Sequence, residues 1–433
     1  IQKRIEDHLR SESSKVLLVD GARQVGKTYI IRNTGKRLFK NYIEVNLLED
    51  SEHDMRFANA RTVSDFYLQL STIAGEKMGN RKDTLVFLDE IQAYPHLLTL
   101  LKFLKEDDKF TYIASGSELG IALSKTSSIP MGSISILRMH QLDFEEFLYA
   151  NGYNRLAVGS MRECYESSRS LDETMHNNVM DLFRKYLLVG GMPEAVNDFI
   201  ENHNIVTVRE IQHLIHDFYA SDASKYDTAN RLKIRRIYKM IPSMLENKKK
   251  RIRIKDIEGI KGKTYSDYAD EFDYLISAGI ALDVKAVSTP VFPLIENSTK
   301  NLIKLYLNDT GILTAILYEN NINAVLNDVP GINLGTVYES VAAQELISHG
   351  HKLYYYDNRK KGEVDFLIND YDTLSVKPIE IKSGKDYYIH RALDAFLVNE
   401  DYPVKQGIVF SNERDVRLEN DILYLPIYYL MFL

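Results

Sequence analysis

The chain has 433 residues, of which 45% are hydrophobic and 27% are charged, and its formal net charge at pH 7 is −7. These proportions are ordinary for a soluble globular protein and exclude a disordered or fibrous chain. The length exceeds what one hydrophobic core usually organises, which predicts two or three domains, and we expect three. The sequence has no uninterrupted apolar run long enough to span a bilayer, so a membrane contact is not expected.

The cellular compartment is predicted from the cysteine content and the first residues. Cys164 is the sole cysteine, so an intramolecular disulfide is excluded. Residues 1–10 alternate charged and apolar side chains like an amphipathic helix and unlike a signal peptide. We therefore expect a cytoplasmic protein. The negative net charge argues against a surface uniformly coated for nucleic acid, although charge can be segregated along a chain.

Residues 1–155 alternate between strand-like and helical patterns. Short apolar runs predict strands buried on both faces at residues 16–20, 42–46, 85–88 and 111–114. Strands that alternate with helices imply a parallel sheet with right-handed crossovers. The sequence therefore predicts an α/β domain over residues 1–155.

The rest of the chain changes character twice. Residues 156–300 have a helical pattern, with apolar residues three and four apart at 179–188 and 210–220. From residue 301 to 433, strand-like runs return around a helix at 337–348. These runs lie at residues 304–307, 352–356, 363–368, 378–382 and 407–410. A helical domain followed by a small α/β domain is predicted.

A glycine-rich segment directly follows the first predicted strand and precedes a helix. It matches G-x-x-x-x-G-K-[ST] with Gly21, Ala22, Arg23, Gln24, Val25, Gly26, Lys27 and Thr28. Such a loop points backbone N–H groups at phosphates, and its lysine reaches the β and γ phosphates. We predict that these residues bind ATP and that Thr28 is a ligand of Mg²⁺. The alternative is a glycine-rich turn with an incidental lysine.

A hydrophobic strand that ends in Asp89 and Glu90 follows about sixty residues later. If this strand is adjacent to the strand before the loop, Asp89 can hold the hydrated Mg²⁺ and Glu90 can polarise an attacking water. The plainer alternative is that two acids begin a solvated helix. Ser115, at the tip of the next strand, is predicted to sense the γ-phosphate or water, although Ser-Gly pairs also mark ordinary strand ends.

A basic stretch occupies residues 231–263 of this acidic chain. It contains Lys233, Arg235, Arg236, Lys239, Lys248, Lys249, Lys250, Arg251, Arg253 and Lys255. A short helix in residues 264–282 and a strand-turn-strand at 280–292 are predicted to follow. This order fits a winged-helix module whose cations neutralise the phosphates of double-stranded DNA. A solvated charged face on a helical linker domain is the alternative.

A third constellation lies near the C-terminus. Glu339 is on the predicted helix, Asp365 is on a strand, and Glu380 and Lys382 follow on the next strand. Antiparallel strands would bring Asp365 and Glu380 to one Mg²⁺ ion while Lys382 orients the attacking water. Glu339 is preferred to Glu345 as the third metal ligand. This is the PD-(D/E)XK nuclease pattern, although any half-exposed strand alternates apolar and charged residues.

Together these motifs resemble AAA-type P-loop ATPases that carry a C-terminal DUF4143 domain, a PD-(D/E)XK nuclease-like module. The matching segments are residues 21–28, 87–92, 114–117, 142–147, 190–194, 304–311 and 339–346. The resemblance implies an α/β chain with a P-loop ATPase domain at 1–155, a helical and winged-helix-like domain at 156–300, and a restriction-endonuclease-like domain at 301–433. The family usually has Gly-Arg before the segment 142–147, whereas Gly132 precedes Ser133 here, so Arg138 is the nearby candidate for an arginine finger.

The combined motifs predict an ATPase with ATP and Mg²⁺ as cofactors, which couples its nucleotide state to DNA binding, and in the fullest version to DNA cleavage, by the C-terminal half. The alternative is a nucleotide-dependent switch or scaffold that acts through protein partners, with an inactive nuclease-like fold. The missing Gly-Arg favours this alternative. A metabolic kinase is disfavoured because no substrate lid or acceptor site is recognisable. The sequence leaves the oligomeric state open.

Overall fold

The computed structural model describes most of the chain in two compact units. The described residues are 1–11, 13–117, 119–120, 132–226, 231–247, 250–327, 332, 334–358, 362–384, 386–402, 404 and 406–433. The first unit comprises residues 1–140 with 277–279, and the second comprises 141–276 with 280–433. Each unit has its own sheet, and the predicted α/β class is confirmed. Within these described residues, no helix is both long and apolar enough to cross a bilayer.

The first unit is a five-stranded parallel sheet with helices between its strands. The strands are β1 Val16–Asp20, β2 Asn41–Asn46, β3 Thr84–Asp89, β4 Thr111–Gly116 and β5 Ile134–Arg138. The helices are Gln2–Arg10, Lys27–Leu38, Leu47–Glu52, Val63–Ala74 and Pro95–Asp107, with 3₁₀ turns at Gly75–Lys77 and Ile91–Ala93. Every residue of β1 and β3 is buried, which explains their uninterrupted apolar runs.

The strand order corrects one expectation. The sheet runs β2-β3-β4-β1-β5, and all of its pairings are parallel. β4 therefore lies between β1 and β3, so the predicted adjacency of these two strands is wrong. Because the strands are parallel, the carboxyl ends of β1, β4 and β3 still meet at one edge. The loop after β1 and the acids after β3 lie on the two sides of β4.

The second unit combines a helical region with a mixed sheet. Its helices are Phe144–Ala150, Arg155–Glu166, Glu173–Val189, Pro193–Asn202, Ile205–Tyr226, Arg231–Leu245, Ile254–Glu258, Ala269–Ser277, Thr310–Tyr318, Asn323–Leu326, Gly335–Ser348 and Arg391–Leu397. Its strands are β6 Ala281–Val287, β7 Ser298–Leu307, β8 Tyr354–Asn358, β9 Gly362–Asp370, β10 Ser375–Ile381, β11 Gly407–Ser411, β12 Arg417–Glu419 and β13 Ile422–Pro426. Shorter 3₁₀ turns lie at Tyr265–Tyr268, Leu294–Asn297 and Ile427–Phe432.

The eight strands follow the order β12-β13-β11-β10-β9-β8-β6-β7. β9 and β10 are antiparallel neighbours, which is the arrangement that the convergence of Asp365 and Glu380 requires. The strand-turn-strand expected at residues 280–292 is a longer hairpin, because β7 begins at Ser298 and pairs antiparallel with β6. This hairpin belongs to the same sheet as β8–β13 and crosses residue 300. The three-domain division stays a prediction.

Two glycine-containing segments of the second unit interlock around one buried carboxylate. Asp309 caps the helix Thr310–Tyr318 by accepting the Ile312 N–H at 3.0 Å, and it also accepts the Gly191 N–H at 2.6 Å. Burial raises the pKa of Asp309 to about 6, and these N–H donors oppose that rise. Gly190 is left-handed, with φ +71°, and a Cβ there would lie 2.1 Å from Asp309 Oδ1. Only glycine therefore fits position 190.

Gly190→Ala is expected to destabilise the protein. The left-handed backbone alone costs about 1–2 kcal/mol for a residue with a Cβ, and the collision with Asp309 adds to it. The matched control is Gly159→Ala in the helix Arg155–Glu166, where an added Cβ meets no atom within 4 Å. That change should raise the free energy of unfolding by roughly 0.5–1 kcal/mol. Urea denaturation of both variants checks this, and equal midpoints would contradict it.

Candidate functional site

The glycine-rich loop joins β1 to the helix Lys27–Leu38. Gln24 and Gly26 are left-handed, with φ 64° and 93°, and Gly26 is the N-cap of that helix. Ala22 and Val25 are buried and anchor the loop. A Cβ on Gly21 would lie 2.2 Å from the Met139 carbonyl oxygen, so the loop must begin with glycine. The first N–H groups of the helix are therefore presented at the end of β1, where a phosphate can accept them.

The Lys27 ammonium group is held inside this loop. The residue is 5% exposed, and Nζ donates to the Gly21 carbonyl at 2.9 Å and to the Ala22 carbonyl at 2.7 Å. Burial lowers the pKa of Lys27, whereas the charges of Glu90 and Asp20 act to raise it. The loop thus fixes a cation beside the helix N-terminus, which is the arrangement expected for binding phosphate.

Asp89 joins three segments at the same edge of the sheet. Oδ2 accepts the Thr28 hydroxyl at 2.7 Å, and Oδ1 accepts the Ser115 hydroxyl and the Glu90 N–H. Burial raises the pKa of Asp89, and the hydroxyl donors Ser115 and Thr28 oppose this rise. The structure therefore brings Thr28, Asp89 and Ser115 together. A hydroxyl and a carboxylate side by side are oxygen ligands of the kind Mg²⁺ prefers.

Glu90 contacts Gln92 and Ser117, two residues for which the sequence pattern predicts no role. Its backbone is left-handed, with φ 54°, and its side chain is partly exposed. Gln92 Nε2 donates to Glu90 Oε2 and, at 3.1 Å, to the Ser117 hydroxyl oxygen. Ser117 Oγ in turn lies 3.4 Å from Glu90 Oε2. Both residues belong to the segments 87–92 and 114–117, but residue type alone gave no sign of their contact.

Arg138 lies at the end of β5, next to the end of β1. Burial raises the pKa of Asp20 at the end of β1, and the charge of Arg138 opposes this rise. Arg138 Nη2 also lies 3.5 Å from the Ser277 carbonyl oxygen. These contacts place Arg138 within the first unit, and its assignment as an arginine finger stays a prediction.

The C-terminal acids and lysine also converge. Glu380, on β10, accepts Lys382 Nζ at 2.8 Å, and Asp365, on β9, accepts the Ile381 N–H at 2.9 Å. Glu339, on the helix Gly335–Ser348, accepts the Tyr306 hydroxyl at 3.3 Å and also pairs with a lysine. Burial raises the pKa of Asp365, and the neighbouring charges of Glu380 and Glu339 raise it further. Three carboxylates therefore share one region of the second unit.

Glu345, the rejected alternative to Glu339, lies in a different environment. It is fully buried and accepts the Phe144 N–H at 3.1 Å and the Tyr186 hydroxyl at 2.9 Å. Burial raises the pKa of Glu345 to about 8, with the Asp143 charge acting in the same direction. Its partners belong to the segment 142–147 and the helix Glu173–Val189. Glu345 therefore connects these elements to its own helix, Gly335–Ser348.

Two lysines that the motif did not include neutralise the C-terminal acids. Lys250 pairs with Glu339, and Lys304, which is wholly buried on β7, lies 2.5 Å from Glu363 Oε1. Burial raises the pKa of Glu339, but Lys250 and Lys304 outweigh it and the net shift is downward. Among the residues that the structure describes, no three His, Cys, Asp or Glu side chains are arranged to hold a metal ion as they stand.

Several cations of the basic stretch are engaged within the second unit. Lys239 pairs with Asp217 at 2.9 Å, Arg236 donates to the Ile257 carbonyl at 2.7 Å, and Arg251 pairs with Asp357. Lys248 and Lys249 lie outside the described residues. These internal partners remove part of the positive charge that was assigned to DNA, and double-stranded DNA stays a predicted partner.

Different protein-family models match the two parts of the chain that contain the candidate sites. Residues 13–148 match the model of an AAA domain. This part of the chain is therefore similar to AAA domains. Residues 180–323 match a domain of unknown function, DUF8612, and residues 334–430 match another, DUF4143. The AAA match covers the glycine-rich loop, Asp89, Glu90 and Ser115, and the DUF4143 match covers all four residues of the C-terminal constellation.

Similar solved structures are distant in sequence. A Walker-type ATPase of Pyrococcus abyssi is 13% identical with a TM-score of 0.45, over 73% of this chain and 94% of that one. The Aeropyrum pernix ORC1 protein in complex with DNA is 15% identical with a TM-score of 0.30, over 75% and 92%. AMPPCP-bound DnaA from Aquifex aeolicus is 12% identical with a TM-score of 0.29, over 63% and 86%. No curated protein matches the chain.

Lys304→Met is expected to lower the free energy of unfolding by about 3–5 kcal/mol, because it leaves buried acids without their counter-ion. The double variant Lys304→Met/Glu363→Gln should recover part of this loss. Lys263→Met is the control: Lys263 and Asp267 form a pair of 3.0 Å at the surface, where loss of an ion pair costs about 0–1 kcal/mol. Urea denaturation measures all three variants, and equal losses for both single variants would contradict a role for burial.

Proposed function

We propose that this chain hydrolyses ATP with Mg²⁺, and the observation that supports this most directly is the Thr28–Asp89 contact of 2.7 Å beside the Lys27 loop. The N–H groups of the loop and the Lys27 ammonium group bind the phosphates. Thr28 and Asp89 would hold Mg²⁺, which would neutralise charge on the phosphates. Ser115, which is wholly buried, keeps the Asp89 carboxylate in place.

Glu90 is the general base in this proposal. It follows Asp89 directly, its backbone is left-handed, and its side chain is the partly exposed member of the pair. A carboxylate next to the bound γ-phosphate can polarise the attacking water. The two acids therefore have different roles: Asp89 would hold the metal, and Glu90 would polarise the water.

Two substitutions separate binding from hydrolysis. Lys27→Ala should abolish nucleotide binding, since it removes the cation at the phosphates. Glu90→Gln should keep nucleotide affinity and lower the turnover number by roughly 10²-fold or more. Nucleotide titration and phosphate-release assays measure the two effects, with Lys77→Ala and Glu52→Gln as exposed controls on the same unit. Hydrolysis at the wild-type rate in Glu90→Gln would remove Glu90 from its role.

For the second unit we propose DNA binding with cleavage at the C-terminal constellation, driven by ATP turnover in the first. Asp365 and Glu380 are the carboxylates that would hold Mg²⁺, with Glu339 as the third acid. Support for the fit comes from Glu380 Oε2, which is buried and has no hydrogen-bond partner among the described residues, so it can accept a cation. The metal would stabilise charge on the scissile phosphate, and Lys382 would orient the water.

One observation favours the second candidate function, a nucleotide-dependent switch that acts through protein partners. Lys250 and Lys304 already compensate the acids of the C-terminal constellation, and Arg251 and Lys239 of the basic stretch have acidic partners. In that case the nuclease-like fold binds without cleaving. Both candidates share the ATPase site of the first unit, so they differ only in what the second unit does.

Cleavage of linear, circular and single-stranded DNA with Mg²⁺ or Mn²⁺ distinguishes the two candidates. We expect metal-dependent cleavage by the wild type that is lost in Lys382→Ala and in Glu380→Gln. Each reaction is run with and without ATP, and ATP turnover is measured with and without DNA. DNA-stimulated turnover without cleavage would leave a DNA-binding ATPase. No cleavage and no stimulation would support the switch.

A further inference from the structure

The side chain of Gln92 has one fixed orientation. A carboxylate can only accept hydrogen bonds, so the atom that faces Glu90 Oε2 must be the amide nitrogen. The same Nε2 donates to Ser117 Oγ at 3.1 Å. These two contacts use both N–H groups of the amide. The carbonyl oxygen Oε1 therefore points away from Glu90 Oε2, and its position is set by the carboxylate itself.

Gln92 Oε1 is a buried acceptor without a partner. It accepts no hydrogen bond from any described residue, although a buried polar atom without a partner ordinarily costs about 1–3 kcal/mol. The end of β4 makes room for it: a Cβ on Gly116 would lie 2.5 Å from this oxygen. A glycine at the tip of β4 thus allows an amide carbonyl to lie beside the candidate base with its lone pairs unused.

We propose that Gln92 positions the attacking water of ATP hydrolysis together with Glu90. Nε2 holds the Glu90 carboxylate in place, and Oε1 accepts one hydrogen bond from the water whose other proton faces Glu90. This inference rests on the proposed ATPase activity. Ser117 supports the arrangement by accepting the second N–H of the amide and by lying 3.4 Å from Glu90 Oε2.

The reaction balances without a proton transfer to Gln92. The water oxygen forms a bond to the γ-phosphorus, and the bond from that phosphorus to the β–γ bridging oxygen breaks. The water proton passes to Glu90, and the products are ADP and phosphate. Gln92 touches the water and the base but exchanges nothing, so its contribution is orientation. Loss of such orientation commonly costs about 10²-fold in rate.

The test is hydrolysis by Gln92→Met, a side chain of similar length without polar atoms. We expect the turnover number to fall by about 10–100-fold, with nucleotide affinity unchanged. Ser117→Ala, which removes only one contact of the amide, should give a smaller fall. Gln69→Met is the matched control, because Gln69 lies on the helix Val63–Ala74, outside the candidate site.

A second background separates positioning from a structural role. If Gln92 acts with Glu90 on one water, Gln92→Met should lower the residual rate of Glu90→Gln by at most about twofold, because residues that act as a unit are not additive. A purely structural residue would lower nucleotide affinity and thermal stability, and would reduce the rate by the same factor in both backgrounds. Either of those results would overturn the inference.

Two further outcomes distinguish a failure of the Gln92 inference from a failure of the ATPase proposal. Wild-type turnover in both Gln92→Met and Ser117→Ala, in an enzyme that does hydrolyse ATP, would overturn the role of Gln92 and leave the proposed ATPase function standing. If the wild type binds ATP and releases no phosphate over a long incubation, the ATPase proposal fails and the inference fails with it. Single-turnover measurements at saturating protein distinguish these results from a defect in nucleotide binding.

Discussion

Burial of the Asp89 carboxylate is the constraint on which the first unit depends. Removing a carboxylate from water is costly unless hydrogen-bond donors replace the solvent. Here the donors are the Thr28 hydroxyl, the Ser115 hydroxyl and the Glu90 N–H, which come from three separate segments of the chain. The strand order supplies them, because β4 carries Ser115 between β1, which leads to Thr28, and β3, which ends in Asp89. A sheet in which β3 directly adjoined β1 would not put Ser115 in the gap.

In the second unit, lysine side chains offset the free-energy cost of burying carboxylates. The charges of Glu380 and Glu339 raise the pKa of Asp365, and Glu339 also raises the pKa of Glu380, whereas Lys250, Lys304 and Lys382 act in the opposite direction. The three lysines come from the basic stretch, from β7 and from the position directly after β10, the strand that bears Glu380. The cluster therefore ties sequence-distant segments of the unit together, and part of the basic stretch serves this internal purpose.

Fully buried strands are easier to predict from the sequence than strands with exposed residues. Strands β1 and β3 are buried at every position and were predicted, whereas β5 is buried only at Ile134 and β12 is exposed throughout, and neither was predicted. Strand order was not predictable, because an apolar run does not encode its neighbour. At the site, the loop and Asp89 were predicted from residue type and spacing. Gln92 and Ser117 were not, since an amide and a hydroxyl acquire a role only through the contact that the fold creates.

The two clusters differ in the charge they leave uncompensated, and this difference ranks the functional proposals. Asp89 is held by neutral hydroxyl and amide donors, which orient the carboxylate without cancelling its charge. A divalent cation at Thr28 and Asp89 therefore gains the full attraction of a preorganised ligand. At Glu339 the ammonium groups of Lys250 and Lys304 already provide positive charge, so a metal there competes with cations that belong to the protein. On the Asp365–Glu380 side, Lys382 pairs with Glu380 Oε1 at 2.8 Å, and Glu380 Oε2, which has no hydrogen-bond partner among the described residues, is the atom best placed to attract a cation.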